Sequence, residues 1–211
     1  MTLHWLTTTS RRAASAFVAA ALLTISADVY AEREDREPEA ATGYIDKKAF
    51  VAKDYMVVAA NPYASWAGRN IIEKGGSAVD AAIAVQAMLT LVEPQSSGIG
   101  GGAFILYWDN ENKVLHTYDG REMAPAAVNS HWFMDGTQTM KWLDAVVGGK
   151  SVGVPGALKA LEMAHQDFGS RPWQSLFEDT IDTATNGFKV SPRLAKLVAL
   201  DYHPGLKTFS G

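Results

Sequence analysis

The stretch Gly98-Ile99-Gly100-Gly101-Gly102-Ala103-Phe104-Ile105-Leu106-Tyr107-Trp108 joins a glycine-rich turn to a run of apolar and aromatic residues. The run from Ala103 to Trp108 has the composition of a β-strand, and Asp109-Asn110-Glu111-Asn112 supplies a turn after it. A second strand is then expected over 113–118. The stretch therefore predicts a β-hairpin that the chain enters through a glycine turn.

The glycine turn also fits a loose dinucleotide-binding fingerprint, because Gly98, Gly100 and Ala103 have suitable spacing and Glu122 lies about 20 residues further on. That fingerprint needs a strand before the glycines and a helix after them, whereas here a helix is expected before and a strand after. A nucleotide site is therefore not predicted. Two interpretations stay open: a turn that passes close to another element, where only glycine fits, or backbone amides that bind an anion in a substrate pocket.

Upstream of the turn, the sequence predicts a strand followed by a helix. Tyr55-Met56-Val57-Val58-Ala59-Ala60 is a short apolar run, and we expect it to be a buried strand. Asn61 and Pro62 are the residue types of a helix N-cap and a first helical position. This helix is expected to end at Lys74-Gly75-Gly76, where a cation and two glycines follow the last apolar residues.

Ser77 and Asp80 have the spacing of a capping box and open a second helix that continues through Leu89. This helix is apolar almost all round, so we expect it to be buried in a layered structure. A second glycine cluster, Gly148, Gly149, Gly153 and Gly156, precedes more helical patterns. Three further helices are expected near 155–168, 173–186 and 191–200. The alternation of helices and strands predicts a layered α/β (α+β) fold.

The composition excludes several classes of protein. The 211 residues include 19 Lys and Arg against 23 Asp and Glu, a net charge of −4, which argues against a nucleic-acid binder. With 47% hydrophobic residues the chain is globular, and the absence of cysteine excludes disulfides, thiolate metal sites and cysteine nucleophiles. No cofactor is predicted.

The first residues have the three-part layout of a secretory signal. Arg11 and Arg12 precede an apolar run over 13–25, and Val29-x-Ala31 is a small-residue cleavage site. The apolar run of 13 residues is shorter than the roughly 20 that a membrane-spanning helix needs, so no stable membrane span is expected. We predict a signal peptide over 1–31, a charged leader over 32–53, and export to the periplasm or outside the cell.

Glu162-x-x-His165 has the spacing of half a di-metal carboxylate site. Such a site requires a second motif of this kind, which the sequence does not contain, so no metal site is predicted and His165 is interpreted as a surface or capping residue. The sequence also lacks the Gly-x-Ser-x-Gly, Ser-x-x-Lys and phosphate-loop patterns. The usual hydrolase nucleophile motifs are therefore missing.

Arg121 is the candidate binding residue. It follows Gly120 at an expected strand end, and Ala124 and Pro125 prevent the strand from continuing, which leaves the guanidinium at the mouth of a layered fold. The planar guanidinium can grip a carboxylate with two parallel N–H donors. An arginine beside Glu122 is also typical of a solvated surface pair, and the residues alone do not decide between these interpretations.

Several motifs, taken in order, resemble the large-subunit half of the γ-glutamyltranspeptidases. The resemblance covers about 54–200, and the ordered set is more specific than any one glycine run. The motifs are Asn61-Pro62-Tyr63-Ala64-Ser65, Gly75-Gly76-Ser77-Ala78-Val79-Asp80-Ala81-Ala82, Gly98 to Phe104, Arg121-Glu122-Met123-Ala124-Pro125, Gly153-Val154-Pro155-Gly156 and Asn186-Gly187-Phe188-Lys189-Val190.

The resemblance implies an N-terminal-nucleophile hydrolase sandwich of two sheets between helical layers, of which this chain would form part. It implies transfer of a γ-glutamyl group from a donor such as glutathione to water or to an amino-acid or peptide acceptor. In this family the precursor cuts itself before a threonine, whose hydroxyl then becomes the nucleophile. The arginine of the Arg-Glu-Met-Ala-Pro motif, here Arg121, would hold the α-carboxylate of the glutamyl group.

The sequence departs from the family pattern because it contains no Thr-Thr-His-type cleavage sequence; Thr7-Thr8-Thr9 lies in the signal and is followed by Ser10. We therefore expect 54–211 to be an incomplete large-subunit region, inactive alone and lacking its small subunit, with apolar faces exposed. Two alternatives stay open: a non-catalytic secreted module that binds small amino acids or peptides, and a related acylase or amidase of the same family.

Overall fold

The computed structural model describes residues 48–199. Helices and strands are mixed in this range, which confirms the predicted α/β class. The helices are α1 (Pro62–Glu73), α2 (Ala78–Val92), α3 (Trp142–Val146), α4 (Ala157–Phe168), α5 (Glu178–Asn186) and α6 (Pro192–Ala199), with 3-10 turns at Gly149–Ser151 and Trp173–Phe177. The strands are β1 (Ala103–Asp109), β2 (Val114–Gly120), β3 (Met134–Asp135) and β4 (Gln138–Thr139).

Local capping sets the start of α1 and α2, as the sequence predicts. The Asn61 side chain accepts a hydrogen bond of 3.1 Å from the Tyr63 amide at the start of α1. The Ser77 hydroxyl accepts from the Asp80 amide and the Asp80 carboxylate accepts from the Ser77 amide, so the capping box is complete. Each contact satisfies a backbone donor that the helix itself leaves unpaired.

In the core, α2 packs against α1 and α4, and α4 packs against the inner face of the β1–β2 hairpin. α1 and α2 pack closely because Gly68 has no side chain: a Cβ there would lie 2.6 Å from Val85 Cγ2. The predicted burial of α2 is confirmed. The buried apolar residues include Ala64, Ala67 and Ile71 of α1, Ile83, Ala84, Met88 and Val92 of α2, Tyr118 of β2, Ala160, Leu161 and Ala164 of α4, and Leu176.

The predicted hairpin is confirmed: β1 and β2 are antiparallel, with Ala103 opposite Gly120 and Asp109 opposite Val114. The Asp109 carboxylate accepts the amide of Glu111 in the turn. On the inner face, Tyr107 stacks on Phe168 of α4 with ring centroids 4.3 Å apart. We call the opposite side of β1 the outer face; its Phe104, Leu106 and Trp108 are 65%, 71% and 52% exposed.

The prediction of a buried strand over Tyr55–Ala60 is wrong. These residues lie outside helix and strand, and the side chains of Tyr55, Met56 and Val58 are exposed. A strand needs a neighbouring strand to complete its hydrogen bonds, and no strand within 48–199 pairs with this segment. The apolar composition of this segment alone therefore does not make it a buried strand.

The three later helices are placed as predicted, with one difference. The pattern over 173–186 forms two elements, the 3-10 turn Trp173–Phe177 and then α5. Pro172 explains the tight first turn, because its carbonyl accepts both the amide and the hydroxyl of Ser175. Among residues 48–199, no helix is long and apolar enough to cross a membrane.

Candidate functional site

Three of the sequence motifs come together at the end of the hairpin. The carbonyl of Gly101, in the glycine turn, accepts hydrogen bonds from the amides of Gly156 and Ala157 at the start of α4. The segment that follows β2 pairs with the second glycine cluster, since the Val154 amide donates to the Met123 carbonyl at 2.8 Å. Segments distant in sequence therefore form one backbone assembly around Arg121 and Glu122.

Glycine is required in this assembly because the backbones nearly touch. A Cβ on Gly120 would lie 2.7 Å from Ala160 Cβ and 2.8 Å from the Gly156 carbonyl oxygen. A Cβ on Gly156 would in turn overlap the carbonyl of Gly120. In the glycine turn itself only Gly102 fits the interpretation of a close approach, because a Cβ there would overlap the Glu122 carboxylate, whereas Gly100 has no atom within 4 Å of an added Cβ.

The alternative interpretation, an anion-binding nest in the glycine turn, is not supported. One form of nest alternates right-handed and left-handed backbone conformations. The described glycines with positive φ are Gly75, Gly136, Gly148 and Gly187, and none of them belongs to the turn over 98–102. The turn thus lacks the left-handed residue that would aim successive amides at one anion.

Arg121 lies at the end of β2 with its side chain 71% exposed. Its Nη1 is 3.3 Å from Oε2 of Glu122, and its backbone amide donates to the Asp119 carboxylate at 3.0 Å. An ion pair this exposed contributes little to stability. The backbone of Arg121 is thus held by Asp119, while its guanidinium is open to solvent and can bind an anionic ligand.

Sequence reasoning gave Glu122 no role of its own, yet its carboxylate lies inside the assembly. The side chain is 29% exposed, and a Cβ on Gly102 or Gly153 would collide with it. The sequence pointed to Glu122 only through its adjacency to Arg121 and through the nucleotide fingerprint that was not adopted, because the contacts with Gly102 and Gly153 are set by tertiary packing.

Glu162 and His165 of the Glu-x-x-His pattern make contacts within α4 and with the segment that follows it. Lys159 donates to Glu162 at 2.7 Å, and His165 Nε2 lies 2.8 Å from the Arg171 carbonyl oxygen. No cluster of three or more metal-ligating side chains occurs in the described part of the chain. Both residues therefore have protein partners of their own.

Asp80 forms a buried network that sequence reasoning recognised only as a cap. Its carboxylate accepts the Ser77 amide and also the amide and hydroxyl of Ser170, and His165 Nε2 is 3.7 Å away. Burial alone would raise the pKa of Asp80, but the hydrogen bonds from Ser170 and Ser77 outweigh it and lower the pKa. Asp80 is thus an ionised brace between α2 and the segment after α4.

Glu93 is a second buried carboxylate that the sequence did not reveal. It is 3% exposed, accepts a 2.7 Å hydrogen bond from the Asn61 amide group, and lies 3.6 Å from Arg193 of α6. It connects the start of α1 to the end of α2 and to α6. Gln95 also donates to Glu93. The other two partners, Asn61 and Arg193, are 32 and 100 residues away, so no local pattern could show that Glu93 joins these elements.

The structure resembles solved enzymes over most of the chain. It matches the γ-glutamyltranspeptidase of Pseudomonas nitroreducens complexed with L-DON with a TM-score of 0.64 and 32% identity, covering 69% of this chain and 43% of that one. It matches the cephalosporin acylase of Bacillus halodurans with a TM-score of 0.64 and 29% identity, covering 83% and 32%. The fold and the assembled motifs thus define the class of N-terminal-nucleophile hydrolases.

The family follows from the sequence comparisons. The family model for gamma-glutamyltranspeptidase matches residues 64–209. The glutathione hydrolase proenzyme of Bacillus subtilis (strain 168) is 40% identical over 161 residues, which cover 76% of this chain and 27% of that protein. The chain belongs to the γ-glutamyltranspeptidase family, as its motifs led us to expect. It spans about a quarter of the length of this curated relative.

Proposed function

We propose that the protein takes part in the transfer or hydrolysis of γ-glutamyl groups from glutathione and related γ-glutamyl amides. The observation that carries the proposal is the backbone hydrogen bonding at the end of the hairpin, where the second glycine cluster binds both the Arg121 segment, through Val154 and Met123, and the glycine turn, through Gly156 and Gly101. Family membership supplies the chemistry, and the acceptor is water, an amino acid or a peptide. The chain needs no cofactor in this proposal.

Arg121 is the proposed substrate-binding residue. Its exposed guanidinium offers parallel N–H donors to the α-carboxylate of the γ-glutamyl group, and its backbone is held by Asp119 and the neighbouring glycine segments. Binding energy at this carboxylate is remote from the scissile amide, so it serves to orient the reacting carbonyl. Lysine, a single point charge, would not reproduce the paired contact.

The nucleophile in this proposal is a threonine at the N-terminus of a small subunit, and no residue of this chain has a catalytic role. The word proenzyme in the name of the Bacillus subtilis relative supports processing into subunits. The exposed outer face also supports a partner layer, because three large apolar side chains there lie on one side of β1. Residues 54–211 would then be one part of a large subunit.

Export through a signal peptide at 1–31, followed by the charged leader at 32–53, is part of the proposal. Its support is the order of basic residues, apolar run and small-residue site in the sequence. The signal and most of the leader lie outside the described residues. The proposed location is the periplasm or the medium.

A related acylase activity is the second candidate, and the likeness to the cephalosporin acylase of Bacillus halodurans favours it. The two candidates differ in the donor: a γ-glutamyl amide carries an α-carboxylate and an α-amino group beside the reacting chain, whereas an acylated antibiotic need not. Parallel assays of both donor classes distinguish them.

The test expresses the gene with its natural flanking sequence and measures glutamate release from glutathione and from L-γ-glutamyl-p-nitroanilide. Arg121→Ala is expected to raise KM at least tenfold, because the charge-assisted grip is lost, and Arg121→Lys is not expected to restore it. Lys113→Ala, at an exposed position of the hairpin turn, is the control. An unchanged KM in Arg121→Ala would contradict the binding role, and release of glutamate by the isolated 211-residue chain would contradict the assignment of the nucleophile elsewhere.

A further inference from the structure

Glu122 lies in a cradle that only glycines leave open. Its carboxylate contacts the glycine turn, where a Cβ on Gly102 would overlap Oε2, and its Cβ would be 2.9 Å from a Cβ on Gly153. A side chain at position 102 would displace the carboxylate, and one at position 153 would press on the Cβ of Glu122 and the Met123 carbonyl. The cradle thus combines two segments that are about 50 residues apart and fits one side chain.

One oxygen of the carboxylate in this cradle is buried without a hydrogen-bond donor. Oε2 of Glu122 is buried and accepts no hydrogen bond from any described residue. Its cationic neighbour is Nη1 of Arg121 at 3.3 Å. A buried acceptor without a donor is unfavourable, so the position of Oε2 is best explained by its charge acting on the guanidinium.

We infer that Glu122 is a positioning residue for Arg121. Its carboxylate holds the exposed guanidinium in one direction, and Gly102 makes room for that carboxylate while Gly153 makes room for the Cβ of the same side chain. The inference rests on the proposed function, because it assigns Arg121 the α-carboxylate of a γ-glutamyl donor. In this inference, Glu122 makes Arg121 selective for ligands that have an α-carboxylate.

The side chain that must be preordered is Arg121, since it is long and mostly exposed. An unrestrained arginine loses rotamer entropy when it grips a ligand, whereas one already held by Glu122 loses less. The ion pair is too exposed to add much stability, so its effect should appear in ligand binding and not in folding. This difference separates a positioning role from a structural one.

The test compares Glu122→Gln with the parent in the protein expressed with its natural flanking sequence. Glu122→Gln keeps the shape that fills the cradle and removes the charge. We expect KM for L-γ-glutamyl-p-nitroanilide to rise about fivefold, with kcat within about twofold and an unchanged melting temperature. Glu111→Gln, in the exposed hairpin turn, is the matched control and should behave as the parent.

Competitive inhibitors give the readout that a structural role would not produce. The inhibition constant of L-glutamate, which has the α-carboxylate, should rise about fivefold in Glu122→Gln, whereas that of 4-aminobutyrate, which lacks it, should not change. Glu122→Asp, which keeps the charge but shortens its reach, should show the same selectivity and serves as the test if Glu122→Gln does not fold.

Three outcomes would overturn the inference. An active parent with unchanged KM in Glu122→Gln would contradict it while leaving the proposed function intact. Equal weakening of both inhibitors, with a lower melting temperature, would make Glu122 a structural residue. A parent inactive on every γ-glutamyl donor would overturn the proposed function, and the positioning role would fall with it.

Discussion

The α1–α2 pair and the outer face of the hairpin both contain large apolar side chains but differ in what covers them. Ile83 and Met88 of α2 are almost completely buried by neighbouring helices, whereas Leu106 and Trp108 of β1 are more than half exposed. Within the described residues, these side chains of α2 are already covered by other parts of the chain. The outer face has the composition of a core without the covering layer, which shows that apolar composition alone does not determine burial.

The largest expected effect tests this contrast directly. Ile83→Ala removes buried methylenes and leaves a cavity, so it should lower the free energy of unfolding by about 3 kcal/mol. Leu106→Ala removes a similar volume from an exposed side chain and should change it by less than about 0.5 kcal/mol. Urea unfolding of both variants measures the difference. Equal losses would mean that the outer face is covered in solution.

A smaller effect is expected at Asp80, where α2 is braced by polar contacts. Asp80→Asn should lower the free energy of unfolding by about 2 kcal/mol, because charge-assisted hydrogen bonds to Ser77 and Ser170 are weakened. The pKa of Asp80 is lowered in the folded state. Its stabilising contribution is therefore complete above the usual carboxyl pKa and is lost as the pH falls through the folded value.

Unfolding measured from pH 6 down to pH 2 checks the sign of this dependence. Stability should fall below about pH 4 in the parent and in the exposed control Asp135→Asn, and the fall should be smaller in Asp80→Asn. A parent and an Asp80→Asn variant with the same acid dependence would show that Asp80 is not ionised in the fold.

The smallest expected effect lies at the boundary between the hairpin and α4. Tyr118→Phe removes the 2.7 Å hydrogen bond to Asp167 and should cost about 1 kcal/mol, whereas Tyr55→Phe, on the exposed segment, should cost less. Burial and the Asp167 carboxylate raise the pKa of Tyr118 to about 12. Chemical denaturation measures both variants.

The pH dependence at Tyr118 has the opposite direction from that at Asp80. The folded state favours the neutral phenol, so its contribution is present below the usual tyrosine pKa and is lost between about pH 10 and pH 12. Stability of the parent should therefore begin to fall near pH 10, where the tyrosine of the unfolded chain ionises while the folded phenol stays neutral. Tyr118→Phe should remove part of the alkaline dependence.

The features that the sequence predicted correctly are local. The Asn61 cap, the Ser77–Asp80 box and the turn after Asp109 each depend on residues within four positions of one another. The segment 55–60 was predicted wrongly because a strand depends on a distant partner. The positions of the Glu93 and Glu122 carboxylates were missed for the same reason, since tertiary packing brings Asn61 to Glu93 and Gly102 to Glu122.

The candidate site shows the same division. Arg121 could be singled out from its position after Gly120 and from the family motif, but its binding role remains a proposal. The choice between a close-packed turn and an anion nest required backbone angles and interatomic distances. Residue types alone are compatible with both, because each uses glycine for a different physical reason.

The contact between Gly120 and Gly156 has a practical consequence for anyone who diversifies this region by mutagenesis. The two positions are 36 residues apart in the sequence, yet each occupies the volume that a side chain on the other would need. A compensating pair of larger residues does not exist, so both codons should be held fixed in a library. Gly100, with no atom within 4 Å of an added Cβ, is the glycine in the turn at which variation should start.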